Sequence, residues 1–417
     1  MHDSGSWLRY LRYALPGLPL AALMLPFYIY VPLWLSEHGN YGYTLVGALF
    51  FIARISDVLT DLPVGAWIDR KGCGAPWWLS SWFLLAVSAL VLFLLPHPWP
   101  AWALLLVLVL LMLGWTGINV PWLALPVSLA RNNGERLAYN SAREAMLLFG
   151  TLVAMLLPGI LSPDALRWML MPMLGFLLFT ALLQGRHKGV TSSHTATSIW
   201  PLIKEPRVLS LALPWCINML ANAIPGTILV LFMREVLVAE DAVPAALLVY
   251  FLSGLIGVPF WYALARRIGS LTAWRLGLCL SALLFGFAAL LGEGDLYWFI
   301  AICVGTGLML GADQALPSAM QTGLAQSLAS NGGNKDMGAR LFALWSMLSK
   351  GAMGIAVGVA YLWLGSQTSM ENVPPAWAIS SAYVLAPVLL KMVVFFMLGQ
   401  SSLAWLAKEW EHEETAA

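Results

Sequence analysis

The sequence predicts an all-α polytopic membrane protein with twelve transmembrane helices in two six-helix halves. Three observations predict it. Of 417 residues, 60% are hydrophobic and only 10% are charged, against about 25% charged in soluble domains. The apolar residues fall into twelve runs, each long enough to cross a hydrocarbon core of about 30 Å as a helix. Short basic segments alternate with short acidic ones, as loops on opposite faces of a membrane do. The net charge of +1 gives no reason to expect nucleic acid or another polyanion as a partner.

A polar tail, Met1–Trp7, precedes span 1 at Leu11–Leu35, which is broken by Pro16, Pro19, Pro26 and Pro32. That run feeds directly into a second span, which argues against a cleavable signal. Spans 2 to 6 follow at Tyr43–Ile68, Trp77–Leu95, Trp99–Ala130, Glu135–Leu161 and Ala165–Leu183. Residues 185–207 carry Arg186, His187, Lys188 and a Ser/Thr run, and read as a linker between halves. Spans 7 to 12 lie at Leu209–Val238, Ala242–Ala265, Leu271–Leu291, Leu296–Leu328, Ala339–Leu364 and Trp377–Leu406. The expected organisation is a bundle over 1–184, the linker 185–207, a bundle over 208–408 and an acidic tail 409–417. Cations such as Arg70, Lys71, Arg131, Arg136, Lys204, Arg266 and Arg267 fall on one side. Glu37, Asp164, Glu240, Asp241 and Glu293 fall on the other, so both termini are expected in the cytoplasm.

Span 2 carries the most informative residues. Asp57 and Asp61 lie four apart on one helical face, Arg54 lies three residues before Asp57, and Thr60 borders that face. A charge in mid-bilayer costs at least a few kcal/mol, so these groups must face partners or water. They read as a cation site in a transporter core, or as acids neutralised by Arg54 and by Lys350 of span 11. The remaining embedded polar residues are less specific. Asp313 of span 10 faces a cavity or a helix partner, and Lys391 of span 12 snorkels or faces a neighbour. Asn218 and Asn222, one turn apart in span 7, suit helix-to-helix bonding and solute contact equally. The four cysteines have no metal-like spacing, and the six histidines fall in tails or loops. No hydrolase, kinase, redox or nucleotide-binding motif is present, so the chain is not read as an enzyme and no cofactor is expected.

Twelve spans, a central linker and the turn Gly65-x-x-x-Asp69-Arg70-x-Gly72 resemble the major facilitator superfamily. The turn has a weak counterpart after span 8, Arg266-Arg-Ile-Gly269. Within that superfamily, Leu45–Asp57 with Asp61, Trp115–Trp122, Arg143 and Phe342–Gly351 resemble the melibiose permease group of glycoside–pentoside–hexuronide:cation symporters. Lysophospholipid carriers are relatives of that group. The resemblance implies Asp57 and Asp61 as carboxylate ligands of a coupling cation and Thr116 as a hydroxyl ligand, with Thr60 where the group has an amide. Na⁺ prefers such oxygen ligands. Two close carboxylates also suit a shared proton, so Na⁺ and H⁺ both stand. Arg54 and Lys350 become the charge network that the cation displaces. Arg143 falls where the group has an arginine near the substrate. Trp115, Asn119, Trp122, Tyr28, Tyr30, Asn218 and Asn222, with Asp313, are the candidate solute contacts.

Two departures bear on the solute. Span 1 has no acid between Arg12 and Glu37, and Asn119 stands where the group has a helix 4 acid. Galactoside recognition of the group's kind is therefore not expected. The expected activity is cation-coupled symport of a small polar or amphipathic solute, such as a sugar or glycoside, by alternating access. A lysolipid or glycolipid carrier and a non-transporting assembly factor are the competing readings. A monomer in a bacterial inner membrane is expected.

Overall fold

A chain this apolar must satisfy its backbone hydrogen bonds internally wherever it meets lipid, and helices do so within one segment. The computed structural model describes residues 6–23, 27, 31, 35, 41, 43–94, 98–160, 163–184, 200–330, 338–367 and 375–399. Among the described residues there are helices and short turns and no strand. Tyr28, Tyr30, most of the expected linker and the acidic tail lie outside the described residues.

We number the helices α1 (Ser6–Ala14), α2 (Tyr43–Lys71), α3 (Ala75–Leu94), α4 (Ala101–Leu129), α5 (Asn133–Ile160), α6 (Pro163–Gln184) and α7 (Trp200–Lys204). They continue as α8 (Pro206–Glu235), α9 (Val243–Ile268), α10 (Ser270–Gly286), α11 (Leu296–Ser330), α12 (Gly338–Gln367), α13 (Ala376–Ser380) and α14 (Ala386–Met397). Eight stretches among the described residues are long and apolar enough to cross a membrane. Helix also occupies spans 2, 5 and 6, as α2, α5 and α6.

The chain separates into two compact units. The first takes its described residues from Met1–Ala130, Met146–Ile199 and Ala325–Met347. Here α4 packs against α2 and α3, and α3 against α6. Small residues permit this closeness. A Cβ at Gly114 of α4 would stand 2.5 Å from the Leu85 backbone nitrogen of α3. One at Gly65 of α2 would stand 2.8 Å from Ala343 Cβ of α12. The second unit takes its described residues from Arg131–Ala145, Trp200–Leu324 and Leu348–Ala417. In it, α14 packs against α8 and α10. Its core is aromatic: the Tyr383 ring stacks on Phe232 at 4.2 Å and lies near Phe285 and Phe299.

The sequence counterpart between Asp69–Gly72 and Arg266–Gly269 is a shared helix stop. Gly72 after α2 and Gly269 after α9 have φ of 72° and 82°, a region that favours glycine at a helix end.

Span 12 contains a π turn, Ser381–Leu385, between α13 and α14. The Ala386 N–H bonds the Ser381 carbonyl, five residues back. Pro387 follows and has no N–H to give, and its ring crowds the preceding turn, a usual cause of such irregularity. The turn has a positional effect. Ile379, Tyr383, Pro387 and Lys391 are all buried at a strict spacing of four. In a regular α-helix each such step over-rotates by about 40°. The wider turn takes up part of that drift and keeps Lys391 on the buried face.

Candidate functional site

In α2 the usual amphipathic order is inverted. Phe51, Ile55 and Leu59 are exposed, whereas Ala53, Asp57, Asp61, Val64 and Ile68 are buried. The exposed stripe suits lipid, so the acids face the interior of the first unit. Both Asp57 and Asp61 have 0% exposure, as does Thr116 on α4. The Thr116 hydroxyl lies 2.9 Å from Asp57 Oδ1 and 3.2 Å from Asp61 Oδ1. It has one hydrogen, so it can donate to one carboxylate at a time and has lone pairs left for a cation. Two carboxylate oxygens and a hydroxyl oxygen thus converge from two helices. A cation or a shared proton between the acids relieves their repulsion. Arg54 approaches Asp57 only at 3.5 Å and keeps 27% of its side chain exposed. The Thr60 hydroxyl donates to the Asp57 main-chain carbonyl, 3.1 Å away on its own helix.

At the end of α2, one residue past the expected span, Asp69 caps α12. Its carboxylate accepts the backbone N–H groups of Ala339 and Arg340 at 2.9 and 3.0 Å and the Arg340 Nε at 2.8 Å. A helix N-terminus favours an anion in this way. Both partners are almost fully buried.

The second unit holds a separate buried ion pair. Lys391 of α14 places Nζ 2.5 Å from Asp313 Oδ2 of α11 and 3.3 Å from Asn218 Oδ1 of α8. Asp313 also accepts the Trp274 indole N–H at 3.0 Å and the Asn222 amide at 3.3 Å. Asn218 Nδ2 is buried and has no hydrogen-bond partner among the described residues. Asp313 therefore faces helix partners, and Lys391 faces a neighbour rather than snorkelling.

The comparisons with known proteins give the family and the fold. A family model described as MFS/sugar transport protein matches residues 12–401. The chain belongs to that family. Its members are transporters and not enzymes, and this chain is a multi-pass membrane protein. It is 27% identical over 154 residues to the uncharacterized symporter sll1374 of Synechocystis sp.. That match covers 34% of this chain and 28% of the relative, so the chain spans little more than a quarter of the curated relative it matches. A bacterial homologue of the iron transporter ferroportin, in an outward-facing state, superposes with a TM-score of 0.70 at 17% identity. The overlap covers 94% of this chain and 98% of that one. The E. coli fucose:proton symporter FucP superposes with a TM-score of 0.68 at 14% identity, again over 94% and 98%. These likenesses bear on the fold.

The other candidate residues occupy the following places in the fold. Trp115 and Trp122 are buried on α4, and Asn119 is half-buried between them. The Trp122 indole is committed to the Tyr13 carbonyl at 2.8 Å. Arg143 is buried in the second unit, with Nε and Nη2 at 3.1 and 2.8 Å from Glu144 Oε1. Ser318 of α11 approaches the same oxygen at 3.5 Å. Lys350 is half-buried on α12, in the stretch that belongs to the second unit. The Asp69 cap and the Lys391–Asp313 pair are the arrangements that sequence reasoning did not assemble.

Proposed function

We propose that the chain is a cation-coupled symporter that takes Na⁺ or H⁺ at Asp57 and Asp61 and moves a small polar or amphipathic solute, such as a sugar or glycoside, by alternating access. One observation carries the reading: two fully buried carboxylates converge on one hydroxyl, Thr116, from a neighbouring helix. Holding two acids in an apolar interior costs several kcal/mol unless a cation or proton is part of the design. The family description, the relative called a symporter and the fucose:proton symporter of like fold support it. Three residues past Thr116, half-buried Asn119 offers a polar amide on the same helix. The cation organises α2 and α4, and the solute binds the organised form.

Linkage makes the coupling reciprocal, so the solute must bind more tightly when the cation is present. The test is a solute panel of mono- and disaccharides, glycosides, uronic acids and lysophospholipids, read as unfolding temperature of the purified protein. At least one solute is expected to stabilise more in Na⁺, or at acid pH, than in choline at neutral pH. Asp57→Asn and Asp61→Asn should erase that difference. A lysophospholipid as the sole hit would replace the sugar reading with a lipid carrier. Solute effects indifferent to both ion and pH would overturn symport.

A further inference from the structure

We propose that Lys391 is a tethered cation, filling a monovalent-cation site in the second unit built from Asp313, Asn218 and Asn222. The ammonium sits where an ion would sit, 2.5 Å from Asp313 Oδ2 and 3.3 Å from Asn218 Oδ1. Both contacts are oxygens, the ligands that hard monovalent ions prefer. Asn222 lies beside the same carboxylate oxygen and now offers it Nδ2. That bond, at 3.3 Å, holds Oδ2 in position beside the ammonium. Trp274 holds the other carboxylate oxygen, fixing the Asp313 plane while Oδ2 faces the cation. The unpartnered Nδ2 of Asn218, in a side chain with 0% exposure, marks the cluster as a site arranged around its oxygens rather than for complete pairing.

The backbone is shaped to deliver this ammonium. The π turn at Ser381–Leu385 keeps Lys391 in line with the buried positions Tyr383 and Pro387. A buried ion pair is weak as a stability device, since well-packed apolar residues often serve as well or better. Its arrangement here has a functional consequence instead. With Asp313 permanently neutralised by Lys391, that carboxylate is closed to an exchangeable ion, and the coupling ion is left to Asp57 and Asp61 of the first unit. That last clause rests on the symport reading; the tethered cation itself does not.

The experiment removes the tether and asks whether free ions take its place. Full-length Lys391→Ala is made in an Asp57→Asn/Asp61→Asn background, so that ion effects cannot arise at the first site. Unfolding temperature is read against Na⁺, K⁺ and propylammonium, the fragment that the substitution deletes, with choline and neutral propanol as controls. Lys391→Ala should gain a saturable rise of at least about 2 °C with one of the three cations. The rise should vanish in Lys391→Ala/Asp313→Asn and be absent in Lys391→Met, whose side chain fills the space. No rise, or a rise that persists without Asp313, overturns the proposal. So does a Lys391→Ala protein that cannot be purified in any of the cations while Lys391→Ala/Asp313→Asn folds. If the protein with Lys391 and the native acids shows no ion dependence but Lys391→Ala gains it, the tethered cation stands and the symport reading falls.

Discussion

Asp57→Asn and Asp61→Asn are each expected to abolish ion-driven accumulation of solute, by at least about 100-fold, while the protein stays folded. The amide keeps the shape of the carboxylate and can still meet the Thr116 hydroxyl. What it loses is the charge. Removing one partner from a buried charged site costs about 3–5 kcal/mol, which is more than two orders of magnitude in ion affinity. The check uses proteoliposomes and a solute that scores in the panel. Uptake against a gradient should disappear, whereas solute exchange at equal concentrations persists at a reduced rate. Substitutions that leave uptake intact would reduce the two acids to packing groups. Thr116→Val should be milder, since it removes one neutral ligand of three.

The second large effect is structural. Arg340→Ala should destabilise the protein by about 3–5 kcal/mol near pH 7.5, because it leaves the buried Asp69 carboxylate without its guanidinium. The effect should depend on pH in a defined direction. Burial raises the Asp69 carboxyl from an ordinary 3.8 to about 6, and the bonds from Arg340 and Ala339 offset this only in part. A folded value above the unfolded one means that the native protein holds the proton more tightly. Stability from this group is therefore full below about pH 4 and falls by about 3 kcal/mol as pH rises through 6. Losing Arg340 raises the carboxyl further, so the penalty should be large at pH 7.5 and much smaller at pH 5, where Asp69 keeps its proton. Asp69→Asn/Arg340→Ala should recover stability at pH 7.5. A penalty equal at both pH values would mean that packing of the arginine, not its charge, is what was lost.

Much of the fold was legible because its signals are local. Apolar run length placed helices in spans 2 to 12, and the turn after span 2 with its counterpart after span 8 marked where two of them end. Asp57 and Asp61 were legible for the same reason: four residues apart on one helix, they share a face in any packing. Thr116 came from resemblance, since nothing in the periodicity of α4 sets it apart. The arrangements that escaped are non-local. Asp69 read as part of a loop motif because its partners, Ala339 and Arg340, lie some 270 positions away. Lys391 read as snorkelling or facing a neighbour, and which neighbour was not legible because its partner is on another helix. A usable signal existed. Spans 10 and 12 run the same way, and Asp313 and Lys391 lie at nearly the same count from their helix starts, Leu296 and Ala376. At 1.5 Å per residue this places opposite charges within about 3 Å in depth. The π turn was not legible, because Pro387 alone predicts only some irregularity before it.

The most direct test of the cation site needs no solute. Unfolding temperature of the purified protein is recorded against Na⁺, Li⁺ and K⁺ at several pH values, for wild type, Asp57→Asn and Asp61→Asn. An ion that binds only the folded state stabilises it by mass action. The predicted result is a saturable shift with Na⁺ or Li⁺, or a shift with pH alone if the coupling ion is a proton, absent in both variants. Wild-type stability indifferent to every ion and to pH, with the variants as stable as wild type, would contradict a cation site at Asp57 and Asp61.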